Sequence, residues 1–118
     1  MADEASDQVG TARAAKRAGR REANLRELNS RIVESQEQIA LALNSPLTVL
    51  CECAEEDCNE SIELAQEAFA ALQDHSTRFF VVDGHVLPEV EQVVERGDGW
   101  IIVEKRGAAA REARRILE

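Results

Sequence analysis

The three cysteines of the chain lie in one short segment, Cys51-Glu-Cys-Ala-Glu-Glu-Asp-Cys58. Side chains on an extended strand alternate between two faces, so Cys51 and Cys53 are expected to point the same way. Cys58 follows after four further residues, which is enough chain to turn back toward the first two thiols. Three thiolates could therefore converge on one metal ion. Tetrahedral zinc would then take a fourth ligand, usually another cysteine or a histidine.

Two histidines compete for that fourth position. His85 follows a predicted strand, in the turn Asp83-Gly84-His85, whereas His75 follows a predicted helix in a polar loop. A ligand at the end of a strand can reach the loop of a neighbouring strand, so His85 is the first choice and His75 the second. The sequence thus predicts a structural Zn²⁺ site with four ligands: Cys51, Cys53, Cys58 and His85.

The acidic residues around the thiols argue against redox chemistry. A reactive thiol needs a lowered pKa, which comes from nearby cations or from a helix N-terminus. A bound divalent cation removes that requirement, because it deprotonates the thiols itself. We interpret the carboxylates as part of a solvated loop; they are Glu52, Glu55, Glu56 and Asp57. Asn59 is a candidate for a capping or ligand-supporting contact. A thiol redox centre and simple burial of small apolar cysteines both stay open as alternatives.

The segments around the cluster predict an α+β fold: a small antiparallel sheet with packed helices, a zinc-stapled knuckle and a long N-terminal helix. Periods of two and of three to four residues distinguish the predicted strands from the predicted helices. Strands are predicted at 47–53 and 79–82, a hairpin at 91–95 and 100–103, and helices at 61–72 and 108–117. The first arm of the hairpin would also suit one helical turn.

The N-terminal third of the chain divides into two predicted parts. Residues 1–21 hold few large apolar side chains and are predicted to be a disordered basic arm. Residues 22–45 are predicted to be an amphipathic helix, and 46–118 a zinc-binding α+β domain. The helix carries an apolar seam at heptad spacing, interrupted by Ser35; its residues are Leu25, Leu28, Ile32 and Ile39. This seam would either pack on the chain's own domain or bind a protein partner or a second copy through residues 22–43.

Charge is distributed unevenly along the chain. The net charge is −9, yet residues 10–31 hold seven basic side chains against two acidic ones. If helical, this arm would present one cationic stripe; its residues are Arg13, Lys16, Arg17, Arg20 and Arg21. Such a stripe could contact nucleic acid, while the acidic body would repel nucleic acid and anionic membranes. A simple solvated basic segment is the alternative, and the few aromatic residues offer little base stacking.

The cellular setting is inferred from what the sequence contains. An odd number of cysteines cannot form a complete set of intramolecular disulfides. No apolar run approaches the roughly 20 residues that span a bilayer, and the N-terminus is polar and acidic rather than that of a signal peptide. We therefore expect a soluble, cytoplasmic protein without a membrane partner.

Three motifs together resemble a group of small, uncharacterised proteins of mostly actinobacterial type. They are "CECAEEDC", "RFFVVDGH" and "EQVVERGDGWIIVEK", and they correspond to the pattern C-E-C-x4-C, R-F-x-V-x-x-G-H, V-V-E and V-V-E-K. The resemblance covers about 47–106 and implies no activity. It does imply that His85 belongs with the three cysteines. Asp83 occupies a position that is often proline in the group, so the turn before His85 is expected to differ.

Three functions are consistent with these observations. The preferred one is a non-enzymatic zinc-binding interaction or regulatory module, because no phosphate-binding loop, nucleophile elbow or zinc-deaminase pattern is visible. The first alternative is a transcriptional accessory protein that binds nucleic acid through its basic arm. The second alternative is a thiol redox sensor.

Overall fold

The computed structural model describes residues 2–118, with side chains from Ala12 onward. Over these residues the chain forms three helices and five strands. In chain order they are α1 (Ala2–Leu43), β1 (Leu47–Leu50), β2 (Ser61–Leu64), α2 (Gln66–Gln73), β3 (Arg78–Val81), β4 (Glu91–Arg96), β5 (Ile101–Lys105) and α3 (Gly107–Leu117). The α+β class with a long N-terminal helix is confirmed. The strands form two antiparallel sheets rather than the predicted one, β1-β2 and β3-β5-β4.

The first helix is longer than the sequence predicted. Residues 12–21, expected to be disordered, continue α1 and pack against α3 through small side chains. Gly19 lies at the closest approach, where a Cβ atom would stand 2.3 Å from the carbonyl oxygen of Ala109. Small residues give no strong periodic signal, so composition alone suggested disorder. Met1 and the side chains of residues 2–11, which belong to the same predicted arm, lie outside the described residues.

The predicted helix at 61–72 is wrong in its first part. Ile62 and Leu64 are buried on alternate positions of β2, which pairs with β1, and α2 begins only at Gln66. The four-residue strand has the burial pattern of period two, but its two apolar residues also fit a helical spacing with Phe69 and Leu72. Pairing with β1 makes Ser61–Leu64 a strand rather than the first turn of a helix.

The predicted hairpin is confirmed. β4 and β5 pair antiparallel around the turn at Gly97, with an irregularity in register between Val93 and Glu95. β5 is the central strand and also pairs with β3. The aromatic rings of Phe80 and Trp100 meet edge to face in the core, with centroids 5.4 Å apart.

Helix α1 also covers the open edge of β1 with two side-chain amides. Asn29 accepts a hydrogen bond from the Leu50 N–H at 2.8 Å and donates one to the Leu50 carbonyl at 2.9 Å. Gln36 makes the same pair of bonds with the backbone of Thr48, at 3.1 and 3.0 Å. The helix side chains thus act as the missing strand and protect this edge from pairing with another chain.

A buried ionic cluster joins α1 to the three-stranded sheet. The ammonium group of Lys105 contacts the carboxylates of Glu22 and Glu91, and all three side chains are buried. Glu91 also accepts a hydrogen bond from the Leu87 N–H at 3.0 Å. The carboxylate of Glu22 has only this charge contact, without good hydrogen-bond geometry. Burial raises the pKa of Glu22 to about 8, although Lys105 opposes the shift.

No helix in the described part of the chain is both long and apolar enough to cross a membrane.

Candidate metal centre

The structure brings the four predicted ligands together. One ligand atom from each of Cys51, Cys53, Cys58 and His85 lies within 4.8 Å of the others. Nδ1 of His85 is 3.6 Å from Sγ of Cys51 and 3.5 Å from Sγ of Cys58. In an ideal tetrahedron built on the usual Zn–S and Zn–N bond lengths, sulfur and nitrogen are about 3.6 Å apart. The donor set and these two nitrogen–sulfur distances are therefore compatible with one metal ion.

Strand β1 ends at Leu50 rather than at the predicted Cys53, so the first two cysteines follow the strand, and both contribute thiols to the cluster. The N–H of Cys51 donates to the carbonyl of Glu60 at 2.9 Å, and the N–H of Glu52 donates to the carbonyl of Phe80 at 2.8 Å. The segment thus runs between the two sheets. Cys51 and Cys53 are buried on the metal side, and Glu52 points the other way.

Glu52 corrects the prediction of a solvated acidic loop. Its side chain is fully buried and accepts two hydrogen bonds from the guanidinium of Arg26, at 2.8 and 2.9 Å. It also accepts bonds from the Asn29 amide and the Phe80 N–H, each at 3.0 Å. A buried carboxylate with this many donors is compensated for the loss of water. The rest of the acidic segment follows the prediction, since Glu55, Glu56 and Asp57 are exposed.

Helix α1 therefore positions the segment that carries the candidate ligands along its length. Asn29 holds the backbone of Leu50, Arg26 holds the side chain of Glu52, and Arg21 donates to the carbonyl of Cys53 at 3.1 Å. These residues are five and three positions apart and lie within about 140° of the helix circumference. Their role could not be predicted, because a contact between residues so far apart in the chain leaves no local sequence pattern.

A β-turn and a carboxylate orient His85. The backbone N–H of His85 donates to the carbonyl of Val82 at 3.0 Å, which closes the turn. Gly84 has a φ of +94°, a value that strongly favours glycine at this position of a β-turn. Nε2 of His85 lies 3.0 Å from a carboxylate oxygen of Glu60. A hydrogen bond from Nε2–H to Glu60 would leave the lone pair of Nδ1 available to a metal, an arrangement common among metal-binding histidines. The supporting residue is thus Glu60 rather than Asn59.

The second-choice histidine takes no part in this cluster. His75 is exposed in the loop after α2 and does not belong to the group of converging ligand atoms. Of the two candidate histidines, it is therefore His85 whose ring lies with the three thiols.

The thiols are arranged to share protons or to share a cation. A hydrogen bond from Cys51 lowers the pKa of Cys53 to about 4, and the same bond raises the pKa of Cys51. Burial raises the pKa of Cys58. The N–H of Val82 donates to Sγ of Cys51 at 3.2 Å. This contact would also stabilise Cys51 as a thiolate if a cation were bound. A divalent cation at the centre would replace the shared protons and stabilise all three thiolates.

The predicted cationic stripe lies on one face of α1, and part of it is neutralised. Glu112 on α3 lies 4.0 Å from Nζ of Lys16 and 3.4 Å from Nε of Arg20. Helix α3 adds Arg111 and Arg115, which the local sequence pattern did not connect with the stripe. Basic residues of both helices line a groove of about 460 Å³ between α1 and α3; they are Arg13, Lys16, Arg111 and Arg115. On the other side, Arg17, Arg20 and Arg21 line a second groove with Leu25 and Leu28.

The predicted apolar seam of α1 is not the face that packs on the domain. The packed face holds small, polar and charged residues: Glu22, Ala23, Arg26, Asn29 and Ala40. The seam residues Leu28 and Ile39 are exposed, at 44% and 65% of their full area. The helix therefore does pack on its own domain, which was one of its two predicted uses. It packs through a face other than the apolar seam.

Comparison with protein-family models, with curated proteins and with solved structures finds no significant match for this chain. The resemblance to small actinobacterial-type proteins therefore stays a prediction.

Proposed function

We propose that the protein is a non-enzymatic zinc-binding interaction module in which one Zn²⁺ ion has a structural role. The observation that carries this proposal is the convergence of three thiols and Nδ1 of His85 within 4.8 Å of one another, with two of the nitrogen–sulfur distances near the tetrahedral value. Sulfur-rich tetrahedral sites favour zinc over the harder cations that prefer oxygen. Zinc with three thiolates and a neutral imidazole carries one net negative charge.

The position of the ligands explains what the ion would hold together. The three cysteines come from the connection between β1 and β2, and His85 comes from the turn after β3. One ion would therefore link the two sheets at one side of the apolar core that they share. Structural zinc sites contribute on the order of 10 kcal/mol to folding of small domains. A domain of this size benefits from such a link, because a small core alone is only marginally stable.

The same ligand set supports a non-catalytic role. Catalytic zinc sites keep one coordination position open for water or substrate, whereas three cysteines and a histidine complete the tetrahedron. Glu60, the carboxylate that contacts His85, is engaged with Nε2 of that ring. We therefore assign the activity of the module to its surfaces rather than to the ion.

Metal analysis of the purified full chain tests the proposal. We expect one zinc per chain and, after cobalt(II) substitution, the absorption bands of a tetrahedral thiolate complex. His85→Ala should weaken metal binding strongly, while His75→Ala, the matched control, should leave it unchanged. Metal-free protein with fast-reacting thiols would contradict zinc binding and favour the thiol sensor instead.

Nucleic-acid association is a second candidate, and one observation favours it. Helix α3 places Arg111 and Arg115 beside Arg13 and Lys16, so the cationic surface is wider than the N-terminal stripe alone. Such a surface would contact phosphates without reading sequence. Fluorescence polarisation with a labelled DNA duplex tests it. Binding that weakens with salt and with Arg13→Ser/Arg111→Ser would support the candidate, and no binding at low salt would exclude it.

A further inference from the structure

The exposed seam of α1 is an unusual surface for an acidic protein. Ile39 and Leu43 are exposed at 65% and 70%, Leu28 at 44%, and Leu25 and Ile32 are partly exposed between them. At 100° per residue these five side chains fall on one stripe of the helix. Contiguous apolar surface on a soluble chain usually contacts a partner. The stripe is separate from the face that holds the metal-ligating segment, so the domain does not need it for packing.

The order of residues along the stripe distinguishes between two ways of pairing it with a second copy. A parallel pair in register would stack Ser35 on Ser35 and Ala42 on Ala42, leaving one polar layer and one poorly filled layer. An antiparallel pair centred between Val33 and Glu34 instead matches each small residue with a large one. Its layers, each occurring twice by symmetry, are Leu25 with Ala42, Leu28 with Ile39, and Ile32 with Ser35. Alternation of large and small residues across facing positions is how helices pack without voids.

Charge favours the same direction. The described N-terminal part of α1 is basic up to Arg31, whereas the last part carries only the acidic residues Glu34 and Glu37. Antiparallel pairing about this centre sets residues 24–31, with two basic and one acidic side chain, alongside residues 36–43 of the other copy, which hold Glu37. Glu34 and Glu37 lie about 150° from the stripe, so this attraction acts at long range rather than through direct ion pairs. Parallel pairing would place like charges side by side, which is unfavourable.

A groove at the basic end of the helix would receive the other copy. It has a volume of about 570 Å³, and its lining includes Arg17, Arg21, Leu25 and Leu28. The C-terminal end of α1, with Ile39 and Leu43 exposed, is the apolar segment that antiparallel pairing brings there. We propose that the chain forms a two-fold symmetric dimer in which the α1 helices pair antiparallel through the Leu25–Leu43 stripe. This inference rests on the proposed interaction role and names its partner as a second copy.

Sedimentation equilibrium of the zinc-loaded full chain tests the dimer. We expect a dimer for the wild type, and Leu28→Asp or Ile39→Asp should weaken association by roughly 100-fold or more, because each buries a carboxylate in the interface. Leu41→Asp is the matched control. Leu41 is exposed at 63% in the same part of the helix, but it points away from the stripe, so its variant should dimerise normally.

Cross-linking tests the direction of the helices. Ala42→Cys mixed with Leu25→Cys should form an intermolecular disulfide under mild oxidation, above the background of the zinc-loaded wild type. Ala42→Cys alone should not, because antiparallel pairing separates the two copies of residue 42 by roughly 25 Å along the helices. The opposite pattern would overturn the antiparallel arrangement.

Zinc content and circular dichroism of the same samples separate this inference from the proposed function. A wild type that stays monomeric at hundreds of micromolar while holding zinc would overturn the dimer and leave the metal site intact. A dimer that persists in both aspartate variants, with their fold and zinc retained, would overturn the assignment of the interface to this stripe. A dimer without bound zinc would overturn the metal proposal alone.

Discussion

Arg26 and Glu52 form a buried ion pair with two parallel hydrogen bonds, Nε to Oε2 at 2.8 Å and Nη2 to Oε1 at 2.9 Å. Glu52 lies between two of the cysteines of the proposed metal site, and Arg26 lies in the middle of α1. The guanidinium also stacks over the ring of Phe79, 4.9 Å from its centroid. The pair therefore joins the long helix, the ligand segment and the three-stranded sheet at one point.

Removing one partner of this pair should destabilise the protein strongly. Glu52→Gln leaves the Arg26 guanidinium buried without a countercharge, which typically costs about 3–5 kcal/mol. Urea unfolding of the zinc-loaded protein measures the loss. Glu55→Gln, in the exposed part of the same segment, should change stability by less than about 0.5 kcal/mol. Equal stability of the two variants would show that the pair contributes little.

Glu60 should control metal affinity without being a ligand. Glu60→Ala removes the acceptor for Nε2 of His85, so the imidazole loses its orientation and some basicity. Loss of such a supporting contact typically weakens metal binding by about 10–100-fold. Competition with a chromophoric chelator measures the affinity. Asn59→Ala, at the neighbouring exposed position, should keep wild-type affinity, and a similar loss in both variants would contradict the assigned role.

The buried Glu22 should make stability depend on pH in a defined direction. Its pKa is raised in the folded state from 4.5 to about 8 by burial, so between these values the folded state holds a proton that the unfolded state has released. This contribution is fully present below about pH 4.5 and is lost as the pH rises through 8. Relative to Glu22→Gln, the wild type should therefore lose unfolding free energy as the pH rises from 6 to about 8, and the difference should level off above that pH.

Comparison of the two proteins, both loaded with zinc, separates this effect from the metal site. Zinc binding has its own pH dependence, which is common to wild type and variant and cancels in the difference. Urea unfolding at several pH values gives the two curves. Parallel curves for wild type and Glu22→Gln would mean that Glu22 does not titrate in this range.

Gly19→Ala should destabilise the protein, although alanine is the better helix former. A Cβ atom there would lie 2.3 Å from the Ala109 carbonyl oxygen, so α1 and α3 would have to move apart. Overpacking of this kind costs about 1–3 kcal/mol, against a gain of about 1 kcal/mol in helix propensity. Thermal unfolding measures the change. Asn24→Ala, on the exposed side of α1, should be neutral or stabilising, and a stabilised Gly19→Ala variant would contradict the close packing.

Local sequence patterns predicted those features of the fold that depend on residues close together in the chain. The shared face of Cys51 and Cys53 followed from the alternation of side chains along an extended segment. The hairpin followed from apolar runs on either side of a glycine-rich turn. The α+β class followed from the same periodicities.

Contacts between distant parts of the chain could not be predicted in this way. The burial of Glu52 depends on Arg26, and the course of residues 12–21 depends on small side chains that meet α3. The strand at Ser61–Leu64 depends on pairing with β1, because its spacing alone also fits a helix. In each case tertiary contact decided between local alternatives.

Chelation of the metal, followed by thermal unfolding of the full chain, tests whether a zinc ion stabilises the fold. The proposed zinc site predicts one zinc per chain and a large loss of cooperative unfolding after a strong chelator is added, restored by stoichiometric Zn²⁺. An identical melting curve with and without chelator, in protein shown to hold no metal, would contradict it.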